Sequence, residues 1–272
     1  IAGTSVGGIL AMAVAFELPL SVIVDLFKNR GEQVFSGRGL PSGTVTRLLD
    51  LTRSVTGPKY DGQVLRDELQ RHFGDATLAD ARHALVIPAV DVTRSVTKVF
   101  KTPHVQTSRG DEDQRVVDIM MATSAAPAYF PSVQIGDRLY ADGGLFAVAP
   151  DQVAMHEAQH FMQVDPARIR MVSVGTATAG YQPGEQADAQ AGAVGWLSDG
   201  RLILTLIAVQ QQHVQAIMED RLGERYLRLD ATWPAQAGLG IDVATPAAAR
   251  TLERLAHATM ADLDVAVSKR FF

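Results

Sequence analysis

Apolar positions recur along this chain with two spacings, and the changes between them mark its elements. The run Gly7 to Glu17 is apolar nearly all round and reads as a buried helix stopped by Pro19. Ser21 is placed to cap a second helix reaching about Asn29 and ended by Gly31. From Val34 to Tyr60 the periodicity is lost among Gly37, Gly39, Pro41, Gly43, Gly57 and Pro58, which predicts a long loop with one helical turn near Thr46 to Leu51. Helical spacing returns from Asp61 to Phe73, with Asp61 as N-cap, Val64, Leu65, Leu69 and Phe73 inward, and Gly74 ending it.

Ala84 to Asp91 and Val96 to Thr102 then read as strands, the first apolar enough to be central. A helix follows over Asp111 to Ser124 and runs into Ala125-Ala126-Pro127-Ala128-Tyr129-Phe130-Pro131, whose prolines and aromatics predict a fixed turn lining a substrate. The short strand Leu139 to Ala141 leads into Asp142-Gly143-Gly144. Beyond it come a helix over Pro150 to Met162, a strand over Ile169 to Val174, a polar loop over Tyr181 to Gly192, a helix over Ser198 to Glu219, a strand over Arg225 to Leu229 and an amphipathic helix over Pro246 to Ser268. Strands interleaved with helices predict an α/β fold with a mainly parallel sheet covered on both faces, and no internal repeat interrupts it.

Composition narrows the function. The 272 residues are 47% hydrophobic and 20% charged, as expected of one folded domain. A formal charge of −5 argues against binding a nucleic-acid polymer. The absence of cysteine excludes disulfides and thiolate chemistry and makes the cytosol the default compartment. No stretch is apolar for the roughly 18 to 20 residues that span a bilayer, so a lipid substrate would be met at a membrane surface. Between Lys28 and Lys59 six basic residues face two acids. Arg38, Arg47 and Arg53 within it suit a solvated loop, or a contact with anionic headgroups or a nucleotide phosphate.

Candidate chemistry begins at the N-terminal end. Gly3-Thr4-Ser5-Val6-Gly7 has the G-x-S-x-G form of a nucleophile elbow, in which a strand turns into a helix and the serine projects near the helix N-terminus. Glycine and serine are also common turn residues, so the pattern acquires weight from the apolar helix that follows it. None of the seven histidines (His72, His83, His104, His156, His160, His213, His257) lies in a setting that suits a triad base. Asp142, at a strand end and followed by glycines that admit a neighbouring loop, is better placed.

His156-Glu157-Ala158-Gln159-His160 spells H-E-x-x-H on a predicted helix, the form of a zinc protease site. Its usual extension fails, since Gln163 and Pro166 occupy the Gly and His places, and the nearest further ligand, Glu185, lies in a loop. The competing reading is the exposed face of an amphipathic helix, with no metal bound.

Gly3-Thr4-Ser5-Val6-Gly7-Gly8, Ala122-Thr123-Ser124-Ala125-Ala126-Pro127-Ala128-Tyr129-Phe130-Pro131 and Asp142-Gly143-Gly144, in that order, resemble the patatin-like phospholipases, as does Ser173 to Gly180. The resemblance implies a three-layer α/β/α fold and lipid acyl hydrolysis by a Ser and Asp dyad without a cofactor. Carried over, Ser5 is the nucleophile, Asp142 the base, and the Val6 N–H an oxyanion donor in an elbow closed by Gly3 and Gly7, while Gly143 and Gly144 complete the DGG motif. Ile9 to Leu20 and Gln210 to Leu229 are most similar to the bacterial phospholipase effectors of CBASS anti-phage defence. That implies a membrane phospholipid substrate at the inner membrane surface, a cyclic dinucleotide activator and a homo-oligomer.

Two features depart from the family pattern. No counterpart of its DGGGxRG oxyanion loop occurs, so the expected domain, 1–272, lacks that loop and the N-terminal strand. The run Leu145 to Pro150 also lacks the Asn that commonly follows DGG. A ligand sensor that keeps the fold without the chemistry is therefore a third expectation.

Overall fold

The computed structural model describes residues 1–35, 57–106, 110–177, 181, 192, 196, 201–232 and 239–272. The basic residues Arg38, Arg47 and Arg53, the helical turn near Thr46 and the ligand candidate Glu185 lie outside them. Two compact units are present, Ile1–Glu157 and Ala158–Phe272.

In the first unit, helix α1 (Val6–Ala15) starts at the residue after Ser5 and buries Ile9, Met12 and Ala13 in the core. It is not buried all round: Val6, Leu10 and Val14, four residues apart, form a stripe that is 38% to 43% exposed. The second helix starts earlier than expected, at α2 (Leu20–Asp25) with Pro19 as its cap, and Gly31 does not end it. The chain continues through a π-helical turn (Leu26–Arg30) into α3 (Gly31–Val34).

In α4 (Gln63–Phe73) the N-cap is Gly62, whose φ of 76° suits a residue without Cβ, while Asp61 accepts the Gln63 N–H at 2.9 Å. Leu65, Leu69 and Phe73 point inward as expected, whereas Val64 is 36% exposed.

The sheet of this unit has the order β2-β1-β4-β3, with every strand pair antiparallel. The expectation of a mainly parallel sheet therefore fails for these strands. For two of the three pairs the reason is the brevity of the connection. Strands β1 (Val86–Asp91) and β2 (Val96–Lys101) are joined by residues 92–95, while β3 (Val133–Ile135) and β4 (Arg138–Asp142) are joined by Gly136 and Asp137. Links this short permit a hairpin and leave no room for a crossover helix. A parallel pairing does survive beside this sheet, where Ala2 bridges Val86.

β1 is central and buried, as its apolar run predicts, and its two edges have different neighbours. One edge carries β2 along its whole length. The other is shared: Val86 bonds Ile1 and Gly3, while Ala89 to Asp91 pair with Asp142 to Tyr140 of β4. Between the two neighbours lies Pro88, which has no N–H to offer. Helix α5 (Val116–Thr123), shorter than the predicted 111–124, separates β2 from β3 in sequence and is almost wholly buried. Helix α6 (Asp151–His156) follows β4 and continues into a π-helical turn, Glu157–Phe161.

In the second unit β5 (Met171–Val174) and β6 (Tyr226–Leu229) run parallel, in register from Met171 with Tyr226 to Val174 with Leu229. The intervening α7 (Arg201–Leu222) supplies the crossover that a parallel pair requires. Asp230, just past β6, accepts the Ala177 N–H at 2.8 Å and pairs with Arg228 at 2.6 Å. The final predicted helix is two, α8 (Pro246–Ala261) and α9 (Val265–Phe271). The Asp264 carboxylate accepts the Ala266 and Val267 N–H groups and restarts the helix there.

Candidate active site

The shared edge of β1 brings the two sequence motifs together. The elbow enters beside Val86 and β4 ends beside Ala89, so Ser5 and Asp142 meet above Pro88 although they lie 137 residues apart. The Ser5 hydroxyl donates to Asp142 Oδ2 at 2.7 Å. The Gly144 N–H donates to Oδ1 of the same carboxylate at 2.7 Å, and the Asp142 N–H donates to the Ala125 carbonyl at 3.0 Å.

Asp142 is buried, and burial pushes its carboxyl up to about 6, against the smaller downward pull of the Gly144 N–H and the Ser5 hydroxyl. A carboxylate so tuned is ionised at neutral pH yet basic enough to take a proton from an alcohol as that alcohol attacks. Ser5 is partly exposed, so the pair combines a reachable hydroxyl with a sheltered base.

Ser5 sits at φ 56° and ψ −127°, a region that non-glycine residues enter at a cost of about 1–3 kcal/mol. Its surroundings hold it there. Its carbonyl accepts the Gly8 and Ile9 N–H groups at 2.8 and 3.3 Å, and its own N–H donates to Thr123 Oγ1 at 3.0 Å. The Val6 and Gly7 amides then open α1, where first-turn N–H groups have no carbonyl behind them and the helix dipole favours negative charge.

The glycines divide by what stands next to them. A Cβ at Gly3 would lie 2.0 Å from the Gly7 carbonyl oxygen, one at Gly8 2.8 Å from the Thr123 methyl, and one at Gly143 2.3 Å from the Pro88 carbonyl oxygen. At Gly7 a Cβ would meet nothing within 4 Å. Close approach thus requires Gly3, Gly8 and Gly143, and Gly8 rather than Gly7 is wedged on the helix side of the elbow. The motif spacing does not reveal this, because Gly8 lies one residue outside it.

The proline and aromatic turn is fixed as expected. Lys59 and Tyr60 donate their N–H groups to the Ala128 and Tyr129 carbonyls at 2.9 and 2.8 Å, and Phe130 lies against Tyr60 and Phe35 with centroids 5.5 and 6.0 Å away.

The H-E-x-x-H segment has a different role. Glu157 is buried, in contrast to an exposed helix face, and its carboxylate meets Lys101 Nζ at 2.5 Å and His104 Nε2 at 3.0 Å. His104 Nδ1 in turn lies 2.8 Å from Thr102 Oγ1. These contacts bind the end of α6 to the end of β2 and commit the carboxylate that a zinc protease would need as its base. Among the described residues no group of three His, Cys, Asp or Glu is disposed to hold a metal ion.

Known proteins are similar to this chain in sequence. A family model described as patatin-like phospholipase matches residues 1–155. A cGAMP-activated phospholipase of Pseudomonas aeruginosa (strain BWHPSA011 / Pa011) is 33% identical over 231 residues, covering 85% of this chain and 67% of that protein. Another cGAMP-activated phospholipase, from Vibrio cholerae serotype O1, is 30% identical over 274 residues, covering 94% and 76%. A calcium-independent phospholipase A2-gamma of Oryctolagus cuniculus is 28% identical over 190 residues, covering 65% and 23%.

Proposed function

The chain belongs to the patatin-like phospholipase family, and from that premise we propose that it is a cyclic-dinucleotide-activated phospholipase whose chemistry is carried by Ser5 and Asp142. It is a lipid ester hydrolase. The observation that carries the assignment of the dyad is the 2.7 Å hydrogen bond from the Ser5 hydroxyl to a buried carboxylate raised to about 6.

In the proposed reaction Asp142 takes the Ser5 proton while Oγ attacks the ester carbonyl. The tetrahedral oxyanion is met by the Val6 N–H at the start of α1. Collapse expels the lysophospholipid alkoxide, which receives the proton from Asp142 and leaves an acyl-serine. Water, deprotonated by Asp142, then attacks that acyl group and releases the fatty acid, with the proton returning to Ser5. No histidine and no cofactor enters these steps.

We place the enzyme in the cytoplasm, acting at the inner membrane surface as an effector of bacterial anti-phage defence. The relatives activated by cGAMP support this. The proposal includes an activator that raises turnover or drives self-association.

Fatty-acid release from phosphatidylethanolamine and phosphatidylglycerol vesicles, with and without cGAMP, tests it. Ser5→Ala and Asp142→Asn should each lower turnover by at least about a thousandfold, as loss of a nucleophile or its base does elsewhere. Turnover that survives either substitution would exclude the dyad. No turnover under any of these conditions, even from a chain extended upstream of Ile1, would favour the ligand sensor.

A further inference from the structure

Three buried hydroxyls lie in the elbow or at the end of α5: Thr4, Thr123 and Ser124. Those of Thr4 and Ser124 have no hydrogen-bond partner among the described residues. The Thr123 hydroxyl has two. It accepts the Ser5 N–H at 3.0 Å and donates to the Pro88 carbonyl at 2.6 Å, and its side chain is fully buried.

The choice of partners is informative. Ser5 has a backbone conformation that must be held from outside, and Thr123 supplies the hold on its N–H side, as Gly8 and Ile9 do on its carbonyl side. Pro88 lies at the gap between the elbow and β4, where its carbonyl, lacking a strand partner, receives the Thr123 proton. Two residues on, the Ala125 carbonyl accepts the Asp142 N–H at 3.0 Å. One stretch at the end of α5 therefore holds the backbone of both members of the pair. The Thr123 methyl adds a steric limit, lying where a Cβ on Gly8 would fall.

We propose that Thr123 is a positioning residue of the reaction: through its hydroxyl it sets the Ser5 backbone so that Oγ stays within hydrogen-bond reach of Asp142. It touches no substrate, and it acts through Ser5. The inference rests on the reading of Ser5 and Asp142 as the dyad.

Thr123→Val keeps the shape and removes the hydroxyl, whereas Thr123→Ser keeps the hydroxyl and removes the methyl. The full chain is assayed on the same vesicles with cGAMP, and its reaction with a fluorophosphonate is followed in parallel. The labelling amplitude counts folded, competent molecules, and the labelling rate reads Ser5 reactivity. Thr123→Val should lower kcat and the labelling rate together by roughly 10- to 100-fold with KM unchanged, the size expected when a reacting group shifts by a fraction of an ångström to an ångström. Thr123→Ser should restore both to within about threefold, because the hydrogen bond is regained.

Ser124→Ala, which removes a neighbouring hydroxyl without a partner, should match the unaltered chain. If Thr123→Val gives no labelled fraction, Thr123→Cys, nearly the same shape as serine with a weak donor and acceptor, must show the slowed rate. Normal kcat and labelling rate per competent molecule in Thr123→Val, or in Thr123→Cys where that variant decides, would overturn the inference. So would a Thr123→Ser variant no better than Thr123→Val. Ser5→Ala separates the two levels: if it still releases fatty acid the dyad itself is wrong, and if it is inactive while Thr123→Val is unimpaired only the positioning role fails.

Discussion

As the proposed base, Asp142 links activity and stability with opposite signs. Its carboxyl is raised from 3.8 to about 6 by burial, so the folded chain still binds a proton at pH values where the unfolded chain has lost it. Stability from this group therefore falls as pH rises between those values and is level above them, at a cost of about 3 kcal/mol at neutral pH. Activity moves the other way, because only the carboxylate can act as base: kcat/KM should climb through about pH 6 and be lost below it. Asp142→Asn should abolish turnover yet raise Tm at pH 8, with the gain shrinking toward pH 4, as thermal melts across that range would show. Gly7 and Gly8 offer a second contrast. Gly7→Ala should stabilise α1 by about 0.5–1 kcal/mol in urea titrations, since a Cβ there meets open space and helix propensity improves. Gly8→Ala should cost about 1–3 kcal/mol through overpacking against Thr123. Ser5 and Asp142 are legible in the sequence because their neighbours form motifs. The hold of Thr123 on Ser5 is not, although Thr123 lies in a motif too, since a threonine closing an apolar helix looks the same whether its hydroxyl caps a turn or holds a distant amide.

Strands and helices were legible to different depths. The nearly all-apolar run Ala84 to Asp91 places β1 between β2 and β4, but it does not carry strand direction: the brief link 92–95 turns β2 back on β1 and the brief link 136–137 turns β4 back on β3, whereas β4 meets β1 through a longer connection. β3 escapes the sequence reading because three residues are too few to establish a period. The break between α8 and α9 escapes it because Asp262-Leu263-Asp264 preserves the amphipathic pattern while Asp264 caps a new start. Glu157 is the clearest case of a motif whose letters mislead. It anchors α6 to β2 through Lys101 and His104, so Glu157→Ala should destabilise the chain by about 3–5 kcal/mol, leaving buried charge uncompensated. Urea denaturation measures that loss, and the purified protein's zinc content should be the same before and after the substitution.

For the molecule as a whole, the proposed regulation is open to linkage, which detects a bound activator wherever on the folded chain it sits. If cGAMP binds the folded chain, it should stabilise that state by about 2.7 kcal/mol at a hundredfold excess over Kd, and Tm should rise with the logarithm of its concentration. The shift should persist in Ser5→Ala, since an activator acts from a site other than the one where the ester is cleaved. A calorimetric melt with no dependence on cGAMP would remove the activator from the proposal while leaving the hydrolase intact.

The divided edge of β1 also bears on the order in which the enzyme comes into being. Strands β1 with β2 and β3 with β4 are local hairpins, free to form early, whereas the elbow and β4 each reach β1 only by closing a long loop. During synthesis Ser5 emerges from the ribosome long before Asp142, and the two motifs pair with different stretches of β1, on either side of Pro88. On the proposed mechanism a nascent chain therefore carries a serine without its base until β4 docks.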